Sequence, residues 1–194
     1  MKHSLKIQSL KIFFSLILSL GIIYLSTLNI IWLDFWSFLN IPAVNPPFSD
    51  FKALNIFLNY KENGFNPYII NPESDPIHGV LIYPSVWLNI VDYLNLNKNL
   101  NFKIVSFFII FIYFYVLSDL ALKFQNKYFK YLVLIFFFST SNFLIIERLN
   151  IEIILFCLIY FTLINKKFLK QLIFYSLGLI LKIFPIFSIF IFIE

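Results

Sequence analysis

The chain of 194 residues has one cysteine, Cys157, and two histidines. A single cysteine excludes an internal disulfide and a cysteine metal cluster. No His/Cys spacing suits zinc, so neither a metal nor a cofactor is expected. Charge is scarce as well. Charged residues make up 13% of the chain and hydrophobic residues 60%, whereas soluble domains are nearer about a quarter charged and half apolar. Such a chain cannot cover a water-facing surface with polar groups, which makes the lipid bilayer its solvent. The net charge of +5 is not a nucleic-acid signal, because the lysines sit at the ends of apolar runs, the pattern that sets membrane topology. No soluble domain, internal repeat or low-complexity linker interrupts what reads as a single membrane domain over 1–194.

What the chain does have is a series of apolar runs. Lys2, Lys6 and Lys11 precede a run over 12–33. At about 22 residues it is long enough to cross a bilayer as a helix. Its length, and the lack of a small-residue cleavage site, read as a retained transmembrane helix rather than a signal peptide. The lysines place the N-terminus in the cytoplasm. The loop 34–79 is then outside, with Asp34, Asp50, Glu62, Glu73 and Asp75 set against Lys52 and Lys61. Within it, Pro42, Pro46 and Pro47 delay any helix. Ser49 or Asp50 can then cap one over 50–62. Phe51, Leu54, Phe57 and Leu58 share one face of it and Lys52, Asn55, Asn59 and Glu62 the other. The pattern predicts a helix lying in the membrane interface, stopped at Gly64.

The segment 80–96 is apolar but short, and contains Pro84, Asn89 and Asp92. It reads as a short span, a re-entrant segment or a tilted interfacial helix. Further spans are expected over 104–122, 131–146, 149–164 and 172–193. The positive-inside rule puts both Lys123–Lys130 and Lys166–Lys170 in the cytoplasm, with Glu147-Arg148-Leu149-Asn150-Ile151-Glu152 at the outer tip of the hairpin between them. Strict alternation then requires that 80–96 not cross; otherwise one lysine cluster lies on the unexpected side. Each arm of the hairpin is about 24 Å long against about 30 Å of hydrocarbon, which recesses the charged tip into the membrane face. Lys182 is expected inside the last span, about 18 Å of helix beyond Lys170, with Pro185 kinking the helix after it. The fold class is therefore all-α, a polytopic helical bundle of five to six apolar helices with an amphipathic helix in the first outer loop.

Asp50, the Glu147-Arg148-Asn150 tip and Lys182 are the polar groups assigned to the outer side. A carboxylate beside two cations suits group transfer from a lipid-linked donor. The carboxylate takes a proton from an acceptor hydroxyl, and the cations hold a departing phosphate. Each residue also has a plainer role. Asp50 can cap a helix, Glu147 and Arg148 can pair at a helix turn, Lys182 can snorkel, and Tyr68 and Tyr83 can anchor the interface.

The order of these landmarks resembles the GT-C superfamily of polyprenyl-phosphate-sugar-dependent glycosyltransferases, and within it glycosyltransferase family 87, the α-mannosyltransferase-like membrane proteins. The residues that carry the resemblance are Asp50; Gly64, Pro67 and Tyr68; Tyr83-Pro84-Ser85; Glu147-Arg148-Leu149-Asn150; and Gly178 with Lys182-Ile183-Phe184-Pro185. The chain departs from the family pattern at Ser85, Leu149 and Phe184. The resemblance implies a GT-C-like fold and an inverting transfer of a hexose such as mannose from a polyprenyl phosphate to a glycan or glycolipid acceptor, on the outer face of a bacterial plasma membrane. Asp50 would be the general base, and Arg148, Lys182, Glu147, Asn150, Tyr68 and Tyr83 would bind the donor and its lipid phosphate, with no metal required. It also implies that the chain corresponds to an N-terminal half, with a C-terminal portion as partner. The alternative is a non-catalytic transporter or accessory subunit of an envelope-polysaccharide system, in which Lys182 and Glu147-Arg148 line a permeation path, or an inactive fragment.

Overall fold

The computed structural model describes residues 2–69, 80–123 and 127–182. These residues form helices and connecting turns, with no strand among them. In chain order the helices are α1 (Lys2–Leu25), α2 (Asn29–Phe38), α3 (Ser49–Glu62), α4 (Val86–Tyr93), α5 (Asn99–Lys123), α6 (Lys127–Phe137), α7 (Thr140–Arg148), α8 (Glu152–Ile164) and α9 (Phe168–Leu181). Among the described residues, two stretches are long and apolar enough to cross a membrane: Ile7–Leu25 in α1 and Asn99–Lys123, which is α5. A third crossing is available if Tyr128–Phe137 and Thr140–Arg148, bent by 47° at their junction, are taken as one span. The apolar helices α8 and α9, at 13 and 14 residues, reach only about 20 Å. The all-α expectation holds, and these helices are compatible with a membrane protein.

The chain divides into two compact units. The first takes in the described residues of 1–49 and 103–153, the second those of 50–102 and 154–194. In the first unit α1 and α5 are joined by an ion pair between Lys11 and Asp119. Phe14 and Phe114 both pack on Phe137 of α6, at 6.4 and 5.8 Å between ring centres. Trp32 and Trp36 of α2 are buried against Phe48, Phe35 and Phe143. In the second unit the apolar face predicted for α3 is present. Phe51, Leu54, Phe57 and Leu58 are buried, while Asn59 and Glu62 are exposed. That face is covered by protein, Phe51 meeting the ring of Phe102 at 5.5 Å, and so is not laid on lipid as the amphipathic pattern suggested.

Several expected spans are interrupted, each for a local polar reason. The run 12–33 is not one helix. At its break Ser26 Oγ donates to the Ile23 carbonyl and Thr27 Oγ1 to the Tyr24 carbonyl, each at 2.7 Å. These bonds satisfy acceptors left open at the helix end. The segment 80–96 yields only the eight residues of α4, about 12 Å and too short to cross. The run 131–146 bends at Phe138-Ser139. Ser139 caps α7 by accepting from the Asn142 N–H at 3.1 Å. Asn142 in turn donates from Nδ2 to the Phe137 carbonyl at 2.8 Å and accepts from the Tyr113 hydroxyl. The expected span 149–164 begins only at Glu152. Of the expected span 172–193, the helix stops at Leu181, and Lys182 is extended at φ −163, ψ 138. The Leu181 carbonyl would take its helical bond from the N–H of residue 185, which proline lacks. The Trp87 indole N–H donates to that carbonyl instead, at 3.0 Å. Pro185 itself, with Ile183 and Phe184, lies outside the described residues, as do Glu73 and Asp75.

Four helix exits share one closure. At Asn40, Gly64, Asn95 and Leu149 the chain turns left-handed, with φ between 48 and 82. The N–H of each returns to a carbonyl three residues back, and the next N–H to one five back. This is the Schellman arrangement. Gly64, read from the sequence as a helix stop, serves as one. Glycine and asparagine enter this conformation readily and leucine does not, so Leu149 is the costly member of the set.

Candidate functional site

The candidate residues fall into two groups, one in each unit. In the second unit the motif elements 64–68 and 83–85 are brought together. Asn66 accepts the Tyr68 N–H on its side chain at 3.0 Å, an Asx turn that spans Pro67 and sets the direction of the Tyr68 ring. The Tyr68 hydroxyl then donates to the Tyr83 carbonyl at 3.1 Å, and the Leu81 N–H to the Pro67 carbonyl at 2.8 Å. Lys182 arrives from the end of α9 and sets its Nζ 5.6 Å from the centre of the Tyr83 ring. It does so because α4 and α9 are tied by the bond from Trp87 to Leu181, one residue before the lysine. Lys182 therefore leaves the helix end beside an aromatic ring, and is not carried within a continuous span as the sequence suggested. A cation over a ring face, next to a phenol that is itself held by the Tyr83 carbonyl, is an electropositive patch. It can attract an anionic oxygen.

Asp50 belongs to the same unit, in the first turn of α3 and partly exposed. A carboxylate there is favoured by the helix dipole; because α3 starts at Ser49, Asp50 lies inside the first turn and not at the N-cap position. Further along α3, Asn55 donates to the Leu96 carbonyl at 3.1 Å and Lys52 lies 5.6 Å from the centre of the Phe102 ring. These contacts hold the start of the helix against the segment that follows α4.

The Glu147-Arg148-Leu149-Asn150 tip is in the first unit and turns out to be a helix junction. Glu147 is fully buried. Its Oε1 accepts the Val44 N–H at 2.9 Å and its main-chain carbonyl the Phe48 N–H at 3.2 Å. One residue thus anchors the proline-rich stretch 44–48 at both ends. The Arg148 guanidinium stands 3.8 Å from the second Glu147 oxygen, an ion-pair distance longer than a hydrogen bond. Asn150 accepts the Glu152 N–H on its side chain at 3.0 Å and so starts α8. Arg148 keeps 32% of its side chain exposed and Asn150 is also half-buried, whereas Glu147 is not exposed at all. Glu147 and Asn150 are committed to the backbone around them. They position the loop and the helix and are not available as the ligand groups the sequence suggested.

Two features escaped the sequence reading. One is Asp119, which with Lys11 forms an ion pair between two apolar helices. It is the lone charge in the run 104–122, and a charge inside a span is a signal in its own right. The other is Trp87, whose N–H bond to the Leu181 carbonyl joins two residues far apart in sequence and could not be anticipated. Among the described residues no three His, Cys, Asp or Glu side chains are grouped to hold a metal ion. Compared with protein-family models, with curated proteins and with solved structures, the chain matches none.

Proposed function

We propose that the chain is a membrane glycosyltransferase of the GT-C type. It would transfer a hexose from a polyprenyl phosphate to an acceptor hydroxyl on the outer face of the membrane. The observation that supports this reading is the assembly of Tyr68, Tyr83 and Lys182 within one unit. These residues come from three separated motifs that the family resemblance places in a donor site. Asp50 opens a helix in that same unit.

In this reaction Asp50 takes the proton of the acceptor hydroxyl. The freed oxygen bonds to the anomeric carbon as the bond from that carbon to the phosphate oxygen breaks. Polyprenyl phosphate leaves with the bonding electrons, and the anomeric centre inverts. Lys182 stabilises the charge that grows on the phosphate, the role for which a preorganised cation is most effective, and the Tyr68 hydroxyl, spent on the Tyr83 carbonyl, holds the ring beside it. Glu147 and Asn150 hold backbone in place and touch no substrate.

The test is sugar transfer from a polyprenyl-phosphate hexose by the purified chain in lipid, wild type beside Asp50→Asn. Loss of a positioned general base lowers turnover by about 10²–10⁴-fold, with donor binding retained. Transfer that persists in Asp50→Asn would refute the base assignment. Absence of both transfer and lipid-phosphate binding in the wild type would refute the glycosyltransferase reading and favour a non-catalytic membrane subunit.

A further inference from the structure

The first unit carries a groove that the proposed chemistry does not use. Leu10, Lys11 and Phe14 of α1 and Ser118, Ala121 and Leu122 of α5 enclose a cavity of about 270 Å³. The pairing of early α1 residues with late α5 residues shows that the two helices run antiparallel along it. The wall is apolar apart from Lys11 and Ser118. Lys11 is paired with Asp119, the two side chains only 13% and 17% exposed, so the pair is a strut between the helices. Leu10, Phe14 and Leu122 are 62%, 45% and 50% exposed, so the mouth of the groove is greasy and faces outward.

One end of this groove is basic. Lys123 follows Leu122 directly, closes α5 and is exposed. Lysines flanking apolar spans mark the cytoplasmic side, where the leaflet is rich in anionic lipid. The volume is below the roughly 300 Å³ at which pockets for compact small molecules begin.

We infer that this groove binds an anionic phospholipid, one acyl chain seated between α1 and α5 and the phosphate at the Lys123 end. The inference rests on the membrane placement of α1 and α5 and is independent of sugar transfer. A zwitterionic lipid would gain the same apolar contacts but not the charge complement, so the headgroup preference is what the site adds.

The experiment is native mass spectrometry of the full chain in mild detergent, titrated with phosphatidylglycerol or phosphatidylcholine. Wild type holds a phosphatidylglycerol adduct in preference to phosphatidylcholine. Ala121→Phe fills the groove and abolishes the adduct. Lys123→Gln weakens phosphatidylglycerol by about fivefold, the worth of one lysine at an anionic surface, and leaves phosphatidylcholine unchanged. Circular dichroism checks that Ala121→Phe is folded; if it is not, the headgroup preference of Lys123→Gln decides. Equal retention of the two lipids by wild type would overturn the inference. So would an adduct that survives in folded Ala121→Phe, or displacement of phosphatidylglycerol by polyprenyl phosphate.

Discussion

Leu149 offers the sharpest test of the local argument, because two large effects oppose each other there. It sits in the left-handed region, at φ 48 and ψ 53, where an L-residue costs about 1–2 kcal/mol. It stays because its side chain is buried, at 1% exposure. Truncating such a side chain costs about 2–5 kcal/mol, so both Leu149→Ala and Leu149→Gly destabilise the protein. Their order is the informative quantity. Glycine gives up one further methyl, about 0.8 kcal/mol, and loosens the unfolded chain by about 0.4–1 kcal/mol. It also relieves the left-handed penalty. The terms nearly cancel, and the two variants should unfold within about 1 kcal/mol of each other. Ile146, also 1% exposed and inside α7, has no such strain to relieve. There glycine should be worse than alanine by about 1–2 kcal/mol. The assay is unfolding in mixed micelles, followed by circular dichroism, for the four variants beside wild type. An alanine-to-glycine gap of the same size at both positions would refute the reasoning.

Other variants probe the remaining polar contacts by the same assay. Glu147→Gln keeps an oxygen for the Val44 N–H and should lose little, whereas Glu147→Ala removes a buried acceptor and should cost about 1–3 kcal/mol. Equal losses would deny the carboxylate its anchoring role. Trp87→Phe takes away the donor to the Leu181 carbonyl and should cost about 1–3 kcal/mol beyond its packing loss. Trp36→Phe should cost less, because the buried Trp36 N–H has no hydrogen-bond acceptor among the described residues. Asp119→Asn strands the Lys11 charge and should cost about 3 kcal/mol, much of it recovered when Lys11→Gln is added. Strictly additive losses would show that the pair is not coupled.

Periodicity and turn chemistry made part of this molecule readable in advance. The apolar positions read over 51–62, Phe51, Leu54, Phe57 and Leu58, are all buried in α3, while of the polar ones Asn59 and Glu62 are exposed and Lys52 and Asn55 half-buried, and Gly64 ends that helix as its backbone freedom suggested. The apolar run over 104–122 lies within one continuous helix. Interruptions were harder to see. Hydropathy sums the run 131–146 without noticing that Ser139 and Asn142 can redirect its backbone bonds, and it extends the last helix past the point where Pro185 leaves a carbonyl without its donor. The candidate residues divide along the same line. Tyr68, Tyr83 and Lys182 could be grouped from motif order, although the helix end that delivers Lys182 was not foreseen. Glu147 and Asn150 looked like ligands because they are polar residues between apolar runs. Their partners, Val44 N–H and Glu152 N–H, are backbone groups that carry no mark in the sequence. Asp119 was passed over although it is a charge within a span, and its partner Lys11 read as an ordinary flanking lysine.

The strut between Lys11 and Asp119 also sets how deep two helices sit. A lysine near the start of α1 and an aspartate near the end of α5 lie toward the same headgroups. Each, if left alone, would pull its helix in that direction to reach water. Paired, they satisfy each other below the surface and let both helices settle. Breaking the pair would draw α1 along its own axis, and the effect would be felt about 21 Å away at Leu25. There, the Ser26-Thr27 turn and the α2 helix behind it, with Asp34, would be dragged toward hydrocarbon. The depth of the segment that follows α1 would thus be set at the opposite end of the helix that leads into it.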